Sequence, residues 1–315
     1  MSLKIIRGIN NLHWWRRNSV VTIGNFDGVH IGHQAMIDRL CQKAKTMGLP
    51  SVLVTFEPLP HEFFSGAKAP HRLLSFRQKV EYLLAQTELD VVLICRFDQA
   101  FSGMDADQFV QRVLIDGLGA KYILLGDDFR FGRDRQGDYQ LVCKQAASLA
   151  VEVEAMSSIQ IDAERVSSTR VRAALSSGDL AAAESLLARP YCLSGKVIKG
   201  DQLGRKLGYP TANIHLKCKN LALSGVFAVS IKIIGETYQG MANIGWRPTV
   251  NGRELRFEVN IFDFDADIYG QRAAVMFHTK LRDEQRFSSL DALKSQLAID
   301  QQAAEVFFQA NASNG

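Results

Sequence analysis

The chain has 315 residues, 47% of them hydrophobic and 22% charged, with a formal net charge of +4. That length accommodates two domains, the apolar content argues against disorder, and so modest a positive excess is weak evidence for a nucleic-acid partner. The excess lies after Leu187, the stretch before it being balanced. Five cysteines, Cys41, Cys95, Cys143, Cys192 and Cys218, are widely spaced and form no Cys-x-x-Cys pair. Zinc and a disulfide framework are therefore not expected, whereas reduced, mostly buried thiols in the cytoplasm are. No apolar run approaches membrane-spanning length, and Trp14-Trp15 is followed at once by Arg16-Arg17, which breaks any signal-peptide core.

Strand-like and helix-like segments alternate over residues 19–155. Strands are predicted at Val20–Ile23, Ser51–Phe56, Asp90–Cys95, Tyr122–Leu125 and Val151–Ala155. Helical periodicity falls at Gln34–Met47, Phe76–Gln86, Ala106–Gly117 and Tyr139–Leu149. This alternation predicts a parallel sheet with helices on both faces, whose ligands bind outside the carboxyl ends of the strands.

The conspicuous stretches lie at those ends. Gly24–His33 reads Gly-Asn-Phe-Asp-Gly-Val-His-Ile-Gly-His and joins the first of these strands to the first helix. His30 and His33 fall about one turn apart at the positive end of that helix, where imidazoles and backbone N–H groups suit polyphosphate. Alone, the stretch also reads as a glycine-rich turn with two surface histidines. Gly126–Gly132 combines Asp128, Phe129, Arg130 and Phe131, which suits a planar heteroaromatic ligand or a turn over two core rings. Pro58-Leu59-Pro60 and Phe63-Phe64 supply a further apolar wall or ordinary loop packing. Val166-Ser167-Ser168-Thr169-Arg170 then opens a helix, with Ser167 or Ser168 as its cap and Arg170 as a fork for phosphate oxygens.

Ala188-Arg189-Pro190-Tyr191 ends the helical run Leu180–Leu187 and predicts a domain boundary, dividing the chain into 1–187 and 188–315. Beyond it come short β-like runs at Leu193–Ile198, Val226–Ile234, Tyr238–Ile244, Leu255–Ile261 and Ala273–Phe277. Such a series predicts a small antiparallel barrel, closed by one helix or two over Leu290–Phe308. Gly204–Asn213 reads Gly-Arg-Lys-Leu-Gly-Tyr-Pro-Thr-Ala-Asn, glycine-rich and basic without being a Walker A loop. On an extended segment Thr211 and Asn213 point the same way, and their oxygens suit Mg²⁺ bridging phosphates. A polar β-turn is the alternative. In Leu255–Ile261, alternation puts Phe257, Val259 and Ile261 on one face and Arg256, Glu258 and Asn260 on the other.

Taken together these motifs resemble bacterial bifunctional riboflavin kinase/FAD synthetase. The N-terminal matches are Gly24–His30, His30–His33 and Ser167–Arg170. The C-terminal ones are Pro210–Asn213, Asn243–Thr249, Phe257–Val259, Asp263-Phe264 and Ile268–Gly270. The resemblance implies a Rossmann-like nucleotidyltransferase domain followed by a β-barrel kinase domain with a C-terminal helix. It implies ATP-dependent phosphorylation of riboflavin to FMN, then transfer of AMP from ATP to FMN, giving FAD and pyrophosphate. It further implies ATP contacts at Asn25, His30, His33, Ser168, Thr169 and Arg170, and flavin contacts at Asp128 and Phe131. In the kinase it implies phosphate contacts at Gly204, Arg205, Gly208, Thr211 and Asn213, Mg²⁺ at Thr211 and Asn213, and Glu258 as the base. The implied partners are ATP, riboflavin and FMN, without nucleic acid or membrane, in a monomer or weak homo-oligomer. Lys199 and Asn260 stand where histidines are expected, and Arg189 follows Ala188 where a glycine is usual.

Two other readings make different demands. A class I aminoacyl-tRNA synthetase shares the literal His-Ile-Gly-His but needs a Lys-Met-Ser-Lys-Ser-like loop, where this chain has Ser-Ser-Thr-Arg. A flavin-binding regulator on a retired scaffold predicts lost catalytic groups, yet His30, His33, Thr211, Asn213 and Glu258 are all present.

Overall fold

The computed structural model describes residues 3–15, 17–200, 204, 207–216, 221–249 and 252–312. The chain divides into two compact units, Met1–Pro70 with Phe76–Ser167, and His71–Ser75 with Ser168–Gly315.

In the first unit six strands form one parallel sheet. They are β1 (Lys4–Arg7), β2 (Ser19–Ile23), β3 (Ser51–Glu57), β4 (Val91–Arg96), β5 (Ala120–Gly126) and β6 (Glu152–Met156), in the order β1-β4-β3-β2-β5-β6. Central strands of such a sheet are covered on both faces and read as unbroken apolar runs, which is why β2 to β5 were legible. Val20, Val21, Val52, Leu53, Val54, Val92, Leu93, Ile123 and Leu124 are all fully buried. The chain leaves β2 for β3 and β4 on one side and later returns to β5 on the other. The carboxyl end of β2 is therefore the topological switch point, the favoured binding crevice of such sheets.

Several elements of this unit differ from expectation. The helix after β2, here α1 (Ile31–Met47), begins before the first periodic residue because His30 caps it. The Ala106–Gly117 pattern resolves into a short α-turn, Ala106–Phe109, running into a π-helical segment, Val110–Ile115. The four-residue edge strand β1 escaped notice because Lys4-Ile5-Ile6-Arg7 is too short to show a period. A small hairpin of β7 (Gln160–Ile161) and β8 (Glu164–Arg165) completes the unit.

The second unit contains helices Ser168–Ser177 and Leu180–Leu187 and a closed barrel. The barrel strands are β9 (Cys192–Ile198), β10 (Thr211–His215), β11 (Gly225–Ile233), β12 (Glu236–Thr249), β13 (Gly252–Ile261) and β14 (Arg272–Arg282). Their order is β10-β13-β12-β11-β14-β9, with β9 pairing back onto β10 and every pair antiparallel. Phe227, Phe257 and Phe277 fill the interior, with ring centroids 5.4 and 5.8 Å apart. Each such buried ring stabilises the barrel by about 1.5–3 kcal/mol. One continuous helix, Leu290–Ala312, lays Ala304 and Phe308 against Ala228 and Met241 on the barrel's outside. The helix Leu180–Leu187 buries Leu180, Ala183, Leu186 and Leu187 and packs on β14, so it belongs to the barrel unit although it precedes Arg189-Pro190.

Cys41 and Cys95 are buried and Cys143 and Cys192 partly so, all four as free thiols. Burial pushes Cys95 up to about 12 and Cys41 and Cys192 to about 11, which keeps them protonated and unreactive. Cys218 lies outside the described residues.

Candidate active sites

The turn between β2 and α1 is strained. Phe26 and Val29 adopt φ values of 47° and 42°, left-handed backbone that is costly for a ring-bearing or β-branched residue, and Gly28 lies at 83°. Both side chains are fully buried, so packing holds the loop in this shape. His30 is the N-cap of α1, and the His33 backbone N–H donates to its Nδ1 at 3.4 Å. The two imidazoles stack at 3.6 Å and 17°, with Phe26 5.0 Å from His33. Gly32 makes room for the stack, since a Cβ there would lie 3.3 Å from the His30 ring.

His33 Nδ1 is buried without a hydrogen-bond partner. Burial first, then the charges of His30 and Lys79, hold the His33 pKa well below its ordinary value, so the ring is neutral near pH 7. A neutral imidazole carries one N–H donor and one acceptor. The backbone carbonyl of Asn25, whose side chain faces solvent, accepts from Thr55 Oγ1 at 3.2 Å and Lys79 Nζ at 2.8 Å. Asn25, His30 and His33 are thus brought together at the switch point.

In the second unit Ser168 is the first residue of its helix, with Thr169 exposed and Arg170 half-buried, and Ser167 stands at the cap position. The hydroxyls and guanidinium of this motif cluster at a helix N-terminus, an anion-binding position.

Asp128 is exposed and pairs with Arg165 at 2.6 Å. Phe131 is only 7% exposed and packs against Phe109 at 5.4 Å and Phe129 at 5.6 Å, so most of its ring belongs to the core. An aromatic ribbon runs from here through Phe109, Phe101 and Phe97 to Phe63 and Phe64, with successive centroids 5.2–6.0 Å apart. Phe64 is 69% exposed at its far end.

A cavity of about 310 Å³ is lined by Gly204, Thr211, Asn243, Arg256, Glu258, Arg282 and Asp300 among others, whereas Gly208 and Asn213 are not part of its lining. Strand register explains the grouping. Glu258 on β13 lies opposite Asn213 on β10 and Asn243 on β12, while Asn260 lies opposite Thr211. The alternation expected in β13 holds: Phe257, Val259 and Ile261 are buried inward, leaving Arg256, Glu258 and Asn260 on the cavity side. Arg256 Nη1 sits 3.5 Å from Glu258 Oε1. The Asn260 amide donates to the Pro210 carbonyl at 2.8 Å, holding the start of β10 in place. Lys199 Nζ rests over the Tyr269 ring at 5.6 Å.

Gly204 accepts from the Tyr209 N–H at 2.9 Å, so closely that a Cβ would meet the Tyr209 carbonyl. Gly208 takes φ 87°. Arg205 lies outside the described residues. Among the described residues no group of three or more His, Cys, Asp or Glu could hold a metal. Around Thr211 and Asn213 the donors are a hydroxyl, an amide oxygen and the single carboxylate of Glu258. That set fits Mg²⁺ that takes its remaining ligands from nucleotide phosphates and water.

Sequence reasoning missed Lys79, Arg282 and Asp300. Lys79 shares the buried stripe of the helix Phe76–Gln86 with Leu83, four residues on, and a lysine in an apolar stripe was the available signal. Arg282 and Asp300 meet only through the fold, in a fork of three contacts of 2.8–3.1 Å.

Comparison with known proteins shows the family of the chain. Residues 13–170 match the family model for FAD synthetase and residues 187–308 that for riboflavin kinase. A bifunctional riboflavin kinase/FMN adenylyltransferase of Pseudomonas fluorescens is 46% identical, covering 96% of this chain and 97% of that one. The protein of the same description from Escherichia coli K12 is 43% identical, with 97% and 98% covered. A crystal structure described as a macrolide-efflux protein from Streptococcus pneumoniae superposes with a TM-score of 0.81 at 31% identity, covering 97% and 99%. Among the described residues of this chain, no helix is long and apolar enough to cross a membrane.

Proposed function

Since the chain belongs to the bifunctional riboflavin kinase/FMN adenylyltransferase family, making FMN from riboflavin and FAD from FMN, we propose how its residues divide the work. The stacked pair His30–His33, capping α1 at the switch point, carries the assignment of the adenylyltransferase site. FMN phosphate is anionic at neutral pH and needs no base to attack the α-phosphorus of ATP. The step calls for alignment and for donors aimed at the charge developing on the phosphates. Neutral His33, His30 and the backbone N–H groups opening α1 supply those donors, with Asn25 beside them. Ser168, Thr169 and Arg170, at the N-terminus of their own helix, are further candidates for phosphate contact. The flavin lies against the aromatic ribbon, with Phe131 contributing its exposed edge and Asp128 a polar contact at the rim.

In the kinase, Glu258 accepts the 5′-hydroxyl proton of riboflavin as that oxygen attacks the γ-phosphorus. Gly204, Arg205 and Gly208 cradle the phosphates. Thr211 and Asn213 would hold Mg²⁺, which would supply charge to offset the phosphates. Residues 1–187 carry adenylylation and 188–315 phosphorylation, in a cytoplasmic monomer or weak homo-oligomer without nucleic acid.

His33→Ala tests the division. FAD formation from supplied FMN should fall by about 10²–10³-fold, the usual cost of one transition-state donor, with riboflavin phosphorylation unchanged. Equal loss in both reactions by a folded variant would refute it.

A further inference from the structure

Lys79 is 1% exposed, one of the largest fully buried side chains in the molecule, and the kinase and adenylyltransferase motifs leave it without a role. Burying an ammonium is costly, and a lysine is seldom fully buried unless something requires its charge. Its Nζ donates to the Asn25 carbonyl at 2.8 Å and to Thr55 Oγ1 at 3.2 Å. Thr55, itself 1% exposed, donates to the same carbonyl. The ammonium thus reaches from the helix Phe76–Gln86, past the end of β3, to the underside of the β2–α1 turn. That turn is the strained segment, with Phe26 and Val29 at positive φ.

We propose that Lys79 is a positioning residue for adenylyl transfer. It clamps the Asn25 carbonyl and sets a positive charge within reach of the His33 ring. The proposal rests on assigning the Gly24–His33 turn to ATP. Two consequences follow from the geometry. The clamp keeps Asn25 and the strained backbone aligned with the His30–His33 stack. The charge disfavours a second cation on His33, preserving the neutral ring. The titratable groups acting on His33 are His30 from the turn and Lys79 from the neighbouring helix.

The test uses the full-length chain with histidine-labelled NMR alongside the two half-reactions. Lys79→Met keeps the side chain's length and removes its charge. FAD formation from FMN should fall by about 10²-fold, as expected when reacting groups are misplaced. Riboflavin phosphorylation should be unchanged, and the His33 ring should titrate at higher pH than in the wild type. Lys79→Arg should keep His33 low. A purely structural role would not move the His33 titration in a folded variant. Normal FAD formation, or an unmoved His33 titration, in folded Lys79→Met overturns the proposal. Should that variant not fold, Thr55→Val removes one acceptor at constant shape. Slower FAD formation with a shifted His33 titration then supports the clamp, and no change in either refutes it. His33→Ala runs in parallel. Loss there without loss in Lys79→Met removes the Lys79 role alone, whereas loss in neither removes the site assignment and the Lys79 role together.

Discussion

Replacing Glu258 by Gln separates catalysis from stability in the kinase. The change keeps the side chain's size and its place opposite Asn213 and Asn243 while removing the charge. Its ion pair with Arg256 is long, 3.5 Å, and both side chains are about a quarter exposed, at 25% and 28%. A long contact of this kind contributes about 1 kcal/mol, and Gln keeps its shape and an acceptor oxygen, so the variant should fold. Loss of a general base costs about 10²–10⁴-fold in rate, or about 3–5.5 kcal/mol in barrier. The kinetic effect therefore exceeds the stability effect several-fold, and one cannot be mistaken for the other. Product chromatography with riboflavin in one tube and FMN in the other reads both reactions. FMN production should collapse while FAD production from supplied FMN survives. Near-normal phosphorylation by a folded Gln variant would refute the general-base role.

Other residues make equally definite demands. Asp300 is 3% exposed and takes the Arg282 fork together with a hydrogen bond from Gln296. Asp300→Ala should destabilise the barrel unit by about 3–5 kcal/mol in denaturant unfolding, since it strips a largely buried cation of its partner. The depressed His33 pKa means that the unfolded chain binds more protons below about 6.5, histidine's ordinary value. Its contribution to stability is full above that pH and is lost as pH falls toward the folded value. Denaturation between pH 7 and 5 should accordingly show a smaller loss in His33→Gln than in the wild type. A fragment of residues 188–315 should make FMN but no FAD. One starting at Ser168 should unfold at higher temperature, because the helix Leu180–Leu187 packs on β14.

What the sequence disclosed depended on how local each cause is. The parallel sheet showed itself because buried central strands are runs such as Val20-Val21-Thr22-Ile23 and Val91-Val92-Leu93-Ile94. The β13 face assignment was equally local, since alternation alone places Glu258 away from Phe257. The stack of His30 on His33 was only half legible. Spacing put the two rings one turn apart, but the 3.6 Å contact depends on His30 being the cap and Gly32 lacking a Cβ. Phe131 shows the limit of composition: Asp and Phe side by side suggested a ligand wall, while packing against Phe109 draws most of that ring into the core. Lys79 was hidden because its partners are a backbone carbonyl and a hydroxyl 54 and 24 positions away, which no periodicity reports.

The two sites handle phosphate charge in opposite ways, and their chemistry explains why. In the kinase the nucleophile is a neutral hydroxyl, so the cavity needs a proton acceptor, and Glu258 beside Arg256 supplies a carboxylate there. In the adenylyltransferase the nucleophile is already an anion. A carboxylate base at the phosphates would only repel it, and protonated histidines would bind the ground state as strongly as the transition state. A neutral His33 ring at a helix N-terminus avoids both faults: it donates to phosphate oxygens without carrying full charge. What keeps His33 neutral is burial of its ring within the turn together with the charges of His30 and Lys79. The strained backbone at Phe26 and Val29 is then the cost of holding donors that close together, offset by the buried side chains that fix the turn. On this argument a residue that displaces the His30 ring, such as Ala in place of Gly32 with its Cβ 3.3 Å from that ring, should damage adenylyl transfer more than it changes stability.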